Sequence, residues 1–305
     1  MKRLIFSVLL ALTTAVVAQT KPQAKAQATP KPDRDSIALV DARWSCDTVN
    51  GMILKRFHFK NKQLFRSNQF IAVLEIPRNA PYHVEFSHEW QRTKTSVQAR
   101  KRGAVAAING SFFDMDRHNP ICYLRIDGRD LGENTAGSDP DHRKYYQYGS
   151  MFLNNGRPSI FKTDSARNAE KSLETENIMT AGPLLVMRSK EVAQRDDRTF
   201  ITQRHNRTAI GTKADGTTIL LVVDGRSQFA AGMSIPELCK IMRWMGCREA
   251  LNLDGGGSTT LWMKENRNIK NLDANGIVNF PSDNGKFDHY GERAVSNCVI
   301  VVPNK

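Results

Sequence analysis

Leu251-Asn252-Leu253-Asp254-Gly255-Gly256-Gly257-Ser258-Thr259-Thr260-Leu261-Trp262 sets a carboxylate and three successive glycines between two apolar flanks. The flanks predict strands. The glycines predict a loop at a strand end, because backbone without Cβ atoms turns sharply and brings its N–H groups close to a neighbour, as in anion-binding nests. Taken alone, the stretch fits either a tight turn between two strands or one wall of a site.

Other segments end in the same way. The apolar run 104–108 leads into Asn109-Gly110-Ser111-Phe112-Phe113-Asp114, either a pocket rim walled by two aromatics or an Asn-stabilised turn with the phenylalanines in the core. A hairpin is predicted over 207–224, with its turn at Lys213-Ala214-Asp215-Gly216-Thr217. Antiparallel pairing then sets Arg207 beside Asp224-Gly225-Arg226, as site residues or as a structural salt bridge. Gly291-Glu292-Arg293 leads into a last apolar strand, 298–302.

Around these lie strand-like runs at 52–60, 69–77 and 82–88, joined in the first case through 61–68, and hairpins around Asp127-Gly128 and Asn154-Asn155-Gly156. Ala181-Gly182-Pro183 interrupts a further run, 178–186, and the polar stretch 131–148 is a loop placed to act as a lid. Two helices stand out. One opens on a capping-box pattern at Thr95-Ser96-Val97-Gln98 and closes at Gly103; the other opens at Ser234-Ile235-Pro236-Glu237, carries an apolar stripe of Ile235, Leu238, Ile241, Met242 and Met245, and closes at Gly246. The pattern predicts a single α+β domain over 36–305, with a mixed, largely antiparallel β-sheet core and a few packed helices.

Met1-Lys2-Arg3, the apolar run 4–12 and Thr13-Thr14-Ala15-Val16-Val17-Ala18 have the parts of a secretory signal peptide, 1–18. A membrane anchor needs roughly 20 apolar residues, and this run is shorter and broken by threonines. Export to the periplasm or the extracellular space is the expectation, with 19–35, rich in Lys, Gln, Ala and Pro, as a disordered spacer.

The formal net charge of +13 raises the question of nucleic acid. The basic residues are scattered, however, and no zinc-finger, RNA-recognition or helix-turn-helix signature is present, so anionic substrates or polyanionic envelope material suit the surface better. Five cysteines, Cys46, Cys122, Cys239, Cys247 and Cys298, leave at least one unpaired. Cys239 and Cys247 would stand roughly 12 Å apart along a helix and its end, too far for a bridge. None of the spacings matches a zinc site.

Strand ends carrying Gly with Asn, Asp or Arg would form a pocket if they met at one rim. Arginines and glycine N–H groups suit a phosphate, and carboxylates suit proton transfer, a nucleophile or a hard cation. In order, Ala107-Ile108-Asn109-Gly110-Ser111-Phe112-Phe113, Ala181-Gly182-Pro183, Arg207-Thr208-Ala209-Ile210-Gly211, Asp224-Gly225-Arg226, the stretch 251–258 and Glu292-Arg293-x-Val295-x-Asn297 resemble the phosphodiester glycosidase family over roughly 95–302.

The resemblance implies hydrolysis of a sugar-1-phosphodiester to free sugar and a phosphomonoester. It makes Asp254, Glu292 and Asp224 candidate catalytic carboxylates. Arg207, Arg226, Arg293 and the N–H groups of Gly255, Gly256 and Gly257 become phosphate candidates, with Asn109, Asp114 and Ser258 on the substrate. No cofactor is required; a divalent cation at Asp224 or Asp254 stays open. The chain departs from the family pattern at Ser111, where a second glycine is usual, and at Asn206, where proline usually precedes the Arg-Thr pair; both bear on substrate preference. Two rival classes remain, a metal-dependent phosphodiesterase and a non-catalytic binder of envelope glycans.

Overall fold

Asn50-Gly51, Asp127-Gly128 and Asn155-Gly156 carry positive φ at both residues, the mirror-image turn whose twist matches the strands it joins. In the computed structural model, which describes residues 33–304 apart from 138–140, 142, 165 and 195–197, these corners close three hairpins. Phe65-Arg66 adopts the same geometry without a glycine, at φ 50° and 53°. The sequence therefore suggests a long connection over 61–68, whereas the strands run further, Met52–Leu64 and Ser67–Ile76. The expected signal peptide and residues 19–32 of the spacer lie outside the described residues. The spacer's last residues, Arg34 and Asp35, belong instead to the helix Arg34–Val40, capped by Asp33, whose side chain accepts the Asp35 N–H.

Three sheets, antiparallel in every described pairing, make up the protein. The largest orders its strands Ser45–Val49, Met52–Leu64, Ser67–Ile76, Thr218–Val223, Arg207–Lys213, Cys247–Asn252, Leu184–Met187 and Lys190–Glu191. A five-stranded sheet runs Arg129–Gly132, Leu124–Ile126, Ile178–Ala181, Gly149–Asn154, Arg157–Lys162, and a four-stranded one Leu261–Met263, Ala106–Asn109, Ala294–Pro303, Tyr82–Lys94.

The large sheet is covered on both faces, so its central strands are apolar throughout rather than alternating. One set of side chains, including Leu74, Ile210, Leu220, Val222 and Leu251, packs toward Ile108, Met179 and Val299 of the smaller sheets. The other, including Ile71, Ala209, Ile219 and Leu221, receives Ile235, Leu238, Ile241 and Met242. That helix, Ile235–Trp244, begins with the predicted capping box of Ser234 and Glu237. A third cluster, with Ala99, Trp262, Cys298 and Ile300, packs the helix Thr95–Lys101 on the four-stranded sheet.

The capping box expected at Thr95 and Gln98 does not form. Gln98 is fully buried, and its amide nitrogen donates to the Thr93 and Val295 carbonyls instead; a carboxylate from elsewhere in the chain caps the helix. All five cysteines are free, four buried and Cys46 exposed. Among the described residues no helix is long and apolar enough to cross a membrane.

Candidate active site

Four strand ends meet at one edge of the large sheet. Arg207 pairs with Val223, the residue before Asp224, and on the strand's other side Ala209 pairs with Asn252, just before the Asp254 loop. Asn109 reaches the same place from the four-stranded sheet. Its amide donates to the Asp254 carbonyl at 2.7 Å and accepts from Thr208 Oγ1 at 2.7 Å and the Thr260 N–H at 3.2 Å. The sequence suggests that Asn109 orients a sugar. Fully buried and bonded to protein in this way, it pins the loop between two sheets.

The three glycines of the loop each answer a close approach. A Cβ on Gly255 would stand 2.5 Å from the Asn206 carbonyl oxygen, and one on Gly256 would stand 2.9 Å from Arg226 Nη2. On Gly257 it would run into the Arg293 guanidinium and Asp283. Gly256 also holds φ at 61°, a left-handed conformation that costs a larger residue strain. The Gly255 N–H donates to Asp254 Oδ1 at 2.9 Å and the Gly256 N–H to the Asn206 carbonyl at 3.0 Å. Those two N–H groups are therefore engaged by the protein and not held open for a phosphate.

Asp254 is surrounded by protein yet partly open to solvent. Burial pushes its carboxyl up to about 6, opposed by Ser258, the Gly255 N–H and the charges of Arg293 and Arg226. The Ser258 hydroxyl lies close enough to act on the carboxylate but outside hydrogen-bonding geometry, and is buried without a partner. Arg226 is exposed beside Gly256. Arg293 lies over Gly257 and pairs with Asp283, its Nε donating at 2.7 Å.

The other candidates are placed differently. Asp224 is fully buried, accepting from Asn279 Nδ2 at 2.7 Å and the Phe280 N–H at 2.8 Å. Burial lifts it to about 7 against those two bonds. Asn279 and Phe280 lie in an irregular stretch with no periodic signal, so the sequence gives no hint of this contact.

Arg207, expected on a phosphate, is 1% exposed. Its Nε donates to the Met233 carbonyl, its Nη2 to those of Phe200 and Gln203, and its guanidinium lies over the Phe200 ring. It satisfies orphan carbonyls at the end of the short helix Thr199–Thr202.

Glu292 accepts from the Ser96 N–H and hydroxyl, both at 2.7 Å, so it is the missing cap of the helix Thr95–Lys101. Burial raises its pKa; besides Ser96, the opposing charges are Lys94 and Arg100, whereas those acting on Asp254 are Arg293 and Arg226. The two carboxylates thus sit in different charge surroundings. Asp114 accepts from the N–H groups of Asp116 and Arg117, which lower its pKa, and serves a surface turn.

Of the two aromatics expected to wall the site, Phe112 stands 5.1 Å from the Tyr146 ring and 5.9 Å from that of Phe200, while Phe113 joins the core. Tyr146 lies near the end of the stretch 131–148 expected to be a lid, whose first two residues belong to the strand Arg129–Gly132 and whose Arg143 forms a fully buried ion pair with Glu170.

A cavity of about 630 Å³ lined by His83, Glu85, Asp127, Phe152 and Glu176 contains none of the converging residues. The unsatisfied polar atoms and shifted carboxylates at Asp254 are better markers of chemistry than that volume. Among the described residues no group of three or more His, Cys, Asp or Glu stands together to hold a metal.

Comparison with known proteins bears on the family and the fold. The chain is 32% identical over 180 residues to the SPbeta prophage-derived uncharacterized protein YomE of Bacillus subtilis, covering 55% of this chain and 26% of that protein. It is 24% identical over 233 residues to N-acetylglucosamine-1-phosphodiester alpha-N-acetylglucosaminidase of Bos taurus, covering 69% of this chain and 39% of the relative. In both cases the chain spans well under half of the relative's length. The zebrafish catalytic domain of the latter enzyme, solved in a form auto-inhibited by its pro-peptide, superposes with a TM-score of 0.62 at 17% identity, covering 87% of this chain and 88% of that one; this likeness shows the fold. The family model for phosphodiester glycosidases matches residues 102–302, a span that contains Asn109, Asp224, the Asp254 loop and Arg293, and the chain belongs to that family.

Proposed function

We propose that the protein is an exported hydrolase, periplasmic or extracellular, that cleaves a sugar-1-phosphodiester to free sugar and a phosphomonoester. The observation that carries this reading is the Asp254 carboxylate, pushed up to about 6 by burial, on a glycine loop flanked by Arg226 and Arg293. In the reaction the oxygen of water bonds to the anomeric carbon, the bond from that carbon to the phosphodiester oxygen breaks, and the electron pair leaves with the phosphate. A phosphomonoester is a good leaving group, so the site needs a strong general acid less than ordinary glycosidases do, and depends more on holding the phosphate.

Asp254 acts in its ionised form toward the anomeric carbon, as base, nucleophile or stabiliser of the oxocarbenium-like charge. Arg226 and Arg293 hold the phosphate, and Arg293 exchanges Asp283 for it. Phe112 and Tyr146 wall the sugar side. Asn109, Arg207 and Asp224 hold the strand ends in place, and Glu292 holds the start of the helix Thr95–Lys101. A divalent cation does not suit this donor set: Asp254 faces two guanidinium groups, and both Asp224 oxygens already accept N–H bonds.

A panel of sugar-1-phosphodiesters, with products identified by mass spectrometry, tests the reading. Free sugar and phosphomonoester are expected from the wild type and not from Asp254→Asn. A variant with full turnover removes Asp254 from the mechanism. Tight glycan binding that Asp254→Asn leaves intact, with no turnover by the wild type, replaces the enzyme with a binding protein.

A further inference from the structure

Asn206 stands where the two glycine corners touch. Its backbone nitrogen is 2.8 Å from where a Cβ on Gly225 would be, its carbonyl oxygen 2.5 Å from one on Gly255, and the Gly256 N–H donates to that oxygen at 3.0 Å. The residue is fully buried. Its Oδ1 accepts from the Ser282 hydroxyl at 3.3 Å, but its Nδ2 has no partner. In the neighbouring Asp254 loop the buried Ser258 hydroxyl stands by the Asp254 carboxylate, outside hydrogen-bonding geometry. Leaving a buried donor unpaired is costly, and proteins seldom do so without a use for it. Above the loop lie Arg226, against Gly256, and Arg293, against Gly257. A donor-only atom beside two guanidinium groups suits an anionic oxygen.

Resting on the function proposed above, we infer that Asn206 is a phosphate-binding residue, whose Nδ2 donates to a non-bridging phosphoryl oxygen of the bound diester while Ser282 holds the amide in orientation. Ser282 and Asp283 are successive residues, and Asp283 carries the carboxylate that pairs with Arg293. On this inference a phosphate that takes the place of that carboxylate also reaches Asn206, whose fully buried amide must become uncovered as the ligand settles. A proline at this position would offer no side-chain donor, so the contact depends on the asparagine this chain carries. Turning the amide over would pair Nδ2 with Ser282 and free the oxygen instead, which would serve a sugar hydroxyl rather than a phosphate. Asn206→Asp separates the two orientations, since it removes the donor and adds charge at nearly constant shape.

Calorimetric titration with methyl phosphate, alongside steady-state kinetics, tests the assignment. For Asn206→Ala we expect affinity for methyl phosphate about ten- to a hundredfold weaker, as for loss of a hydrogen bond to a charged group. KM should rise, kcat should stay within a few-fold, and the melting temperature should not fall. Asn206→Asp should bind more weakly still, and Ser282→Ala, which only loosens the amide, should fall between wild type and Asn206→Ala. Wild-type affinity in Asn206→Asp overturns the donor role, and no binding of methyl phosphate by the wild type overturns the site. If the wild type binds methyl phosphate but turns over no diester, the proposed reaction fails while the binding series still decides on Asn206. Turnover by the wild type with unchanged affinity in every variant sinks the Asn206 inference alone.

Discussion

At the scale of single residues, the carboxylates divide by what each touches. Asp254 meets solvent and two arginines, Asp224 meets Asn279 and Phe280, and Glu292 meets the start of a helix. Replacing Asp254 with Asn is expected to lower kcat by at least about 10²–10⁴-fold, the range for a positioned proton-transfer or nucleophilic group. Because Asp254 works ionised and its pKa is raised to about 6, kcat/KM should climb as pH rises through about 6 and then level off. A profile that falls through this range would make the same residue a proton donor. Glu292→Gln should act on stability, by about 0.5–2 kcal/mol as for other helix caps, with kcat kept within tenfold; paired thermal melts and rate measurements check this. All three carboxylates were legible in the sequence, because each follows or precedes an apolar run. Their separate duties were not, because the partners that define them, Asn279, Phe280 and Ser96, are far away in the chain.

Elements were legible where local chemistry alone sets them. The Ser234–Glu237 box, the apolar stripe after it and the corners at Asp127-Gly128 and Asn155-Gly156 appear as expected, while the corner at Asn50-Gly51 is an addition. The helix at Thr95 starts where its sequence places it but without the expected box, because tertiary contacts override the local pattern: Gln98 is drawn into the core, and Glu292 caps from 196 residues away. Phe65-Arg66 hid a tight corner for the same kind of reason, since a turn that would ordinarily use glycine is held there by its surroundings. Arg207 shows the limit most clearly. Its sequence neighbourhood matches a site motif, yet its guanidinium is spent on backbone carbonyls. Leu238→Ala, in the stripe that packs on the large sheet, should cost about 2–5 kcal/mol by denaturant unfolding. Ser234→Ala should cost about 1 kcal/mol.

At the scale of the whole molecule, the site is assembled from strand ends that only the sheet order brings together, so its members were visible in the sequence while their spacing in three dimensions was not. Assembly has a consequence for stability. Burial raises Asp254 and Asp224 from 3.8 to about 6 and about 7, so between those values the folded state binds more protons than the unfolded one. Their contribution to stability is therefore greatest at low pH and declines as pH rises from about 4 to 7. Asp254→Asn removes one of these slopes, and its melting temperature relative to wild type should increase from pH 4.5 to pH 7.5; a constant difference would mean that the folded protein does not shift this carboxylate.

The central claim concerns which bond breaks. Turnover of a sugar-1-phosphodiester in oxygen-18 water, followed by mass spectrometry of both products, reads this directly. Cleavage at the anomeric carbon places the label in the sugar's anomeric hydroxyl and leaves the phosphomonoester unlabelled, which is the predicted result. Label in the phosphate would mean attack at phosphorus, and would contradict the account.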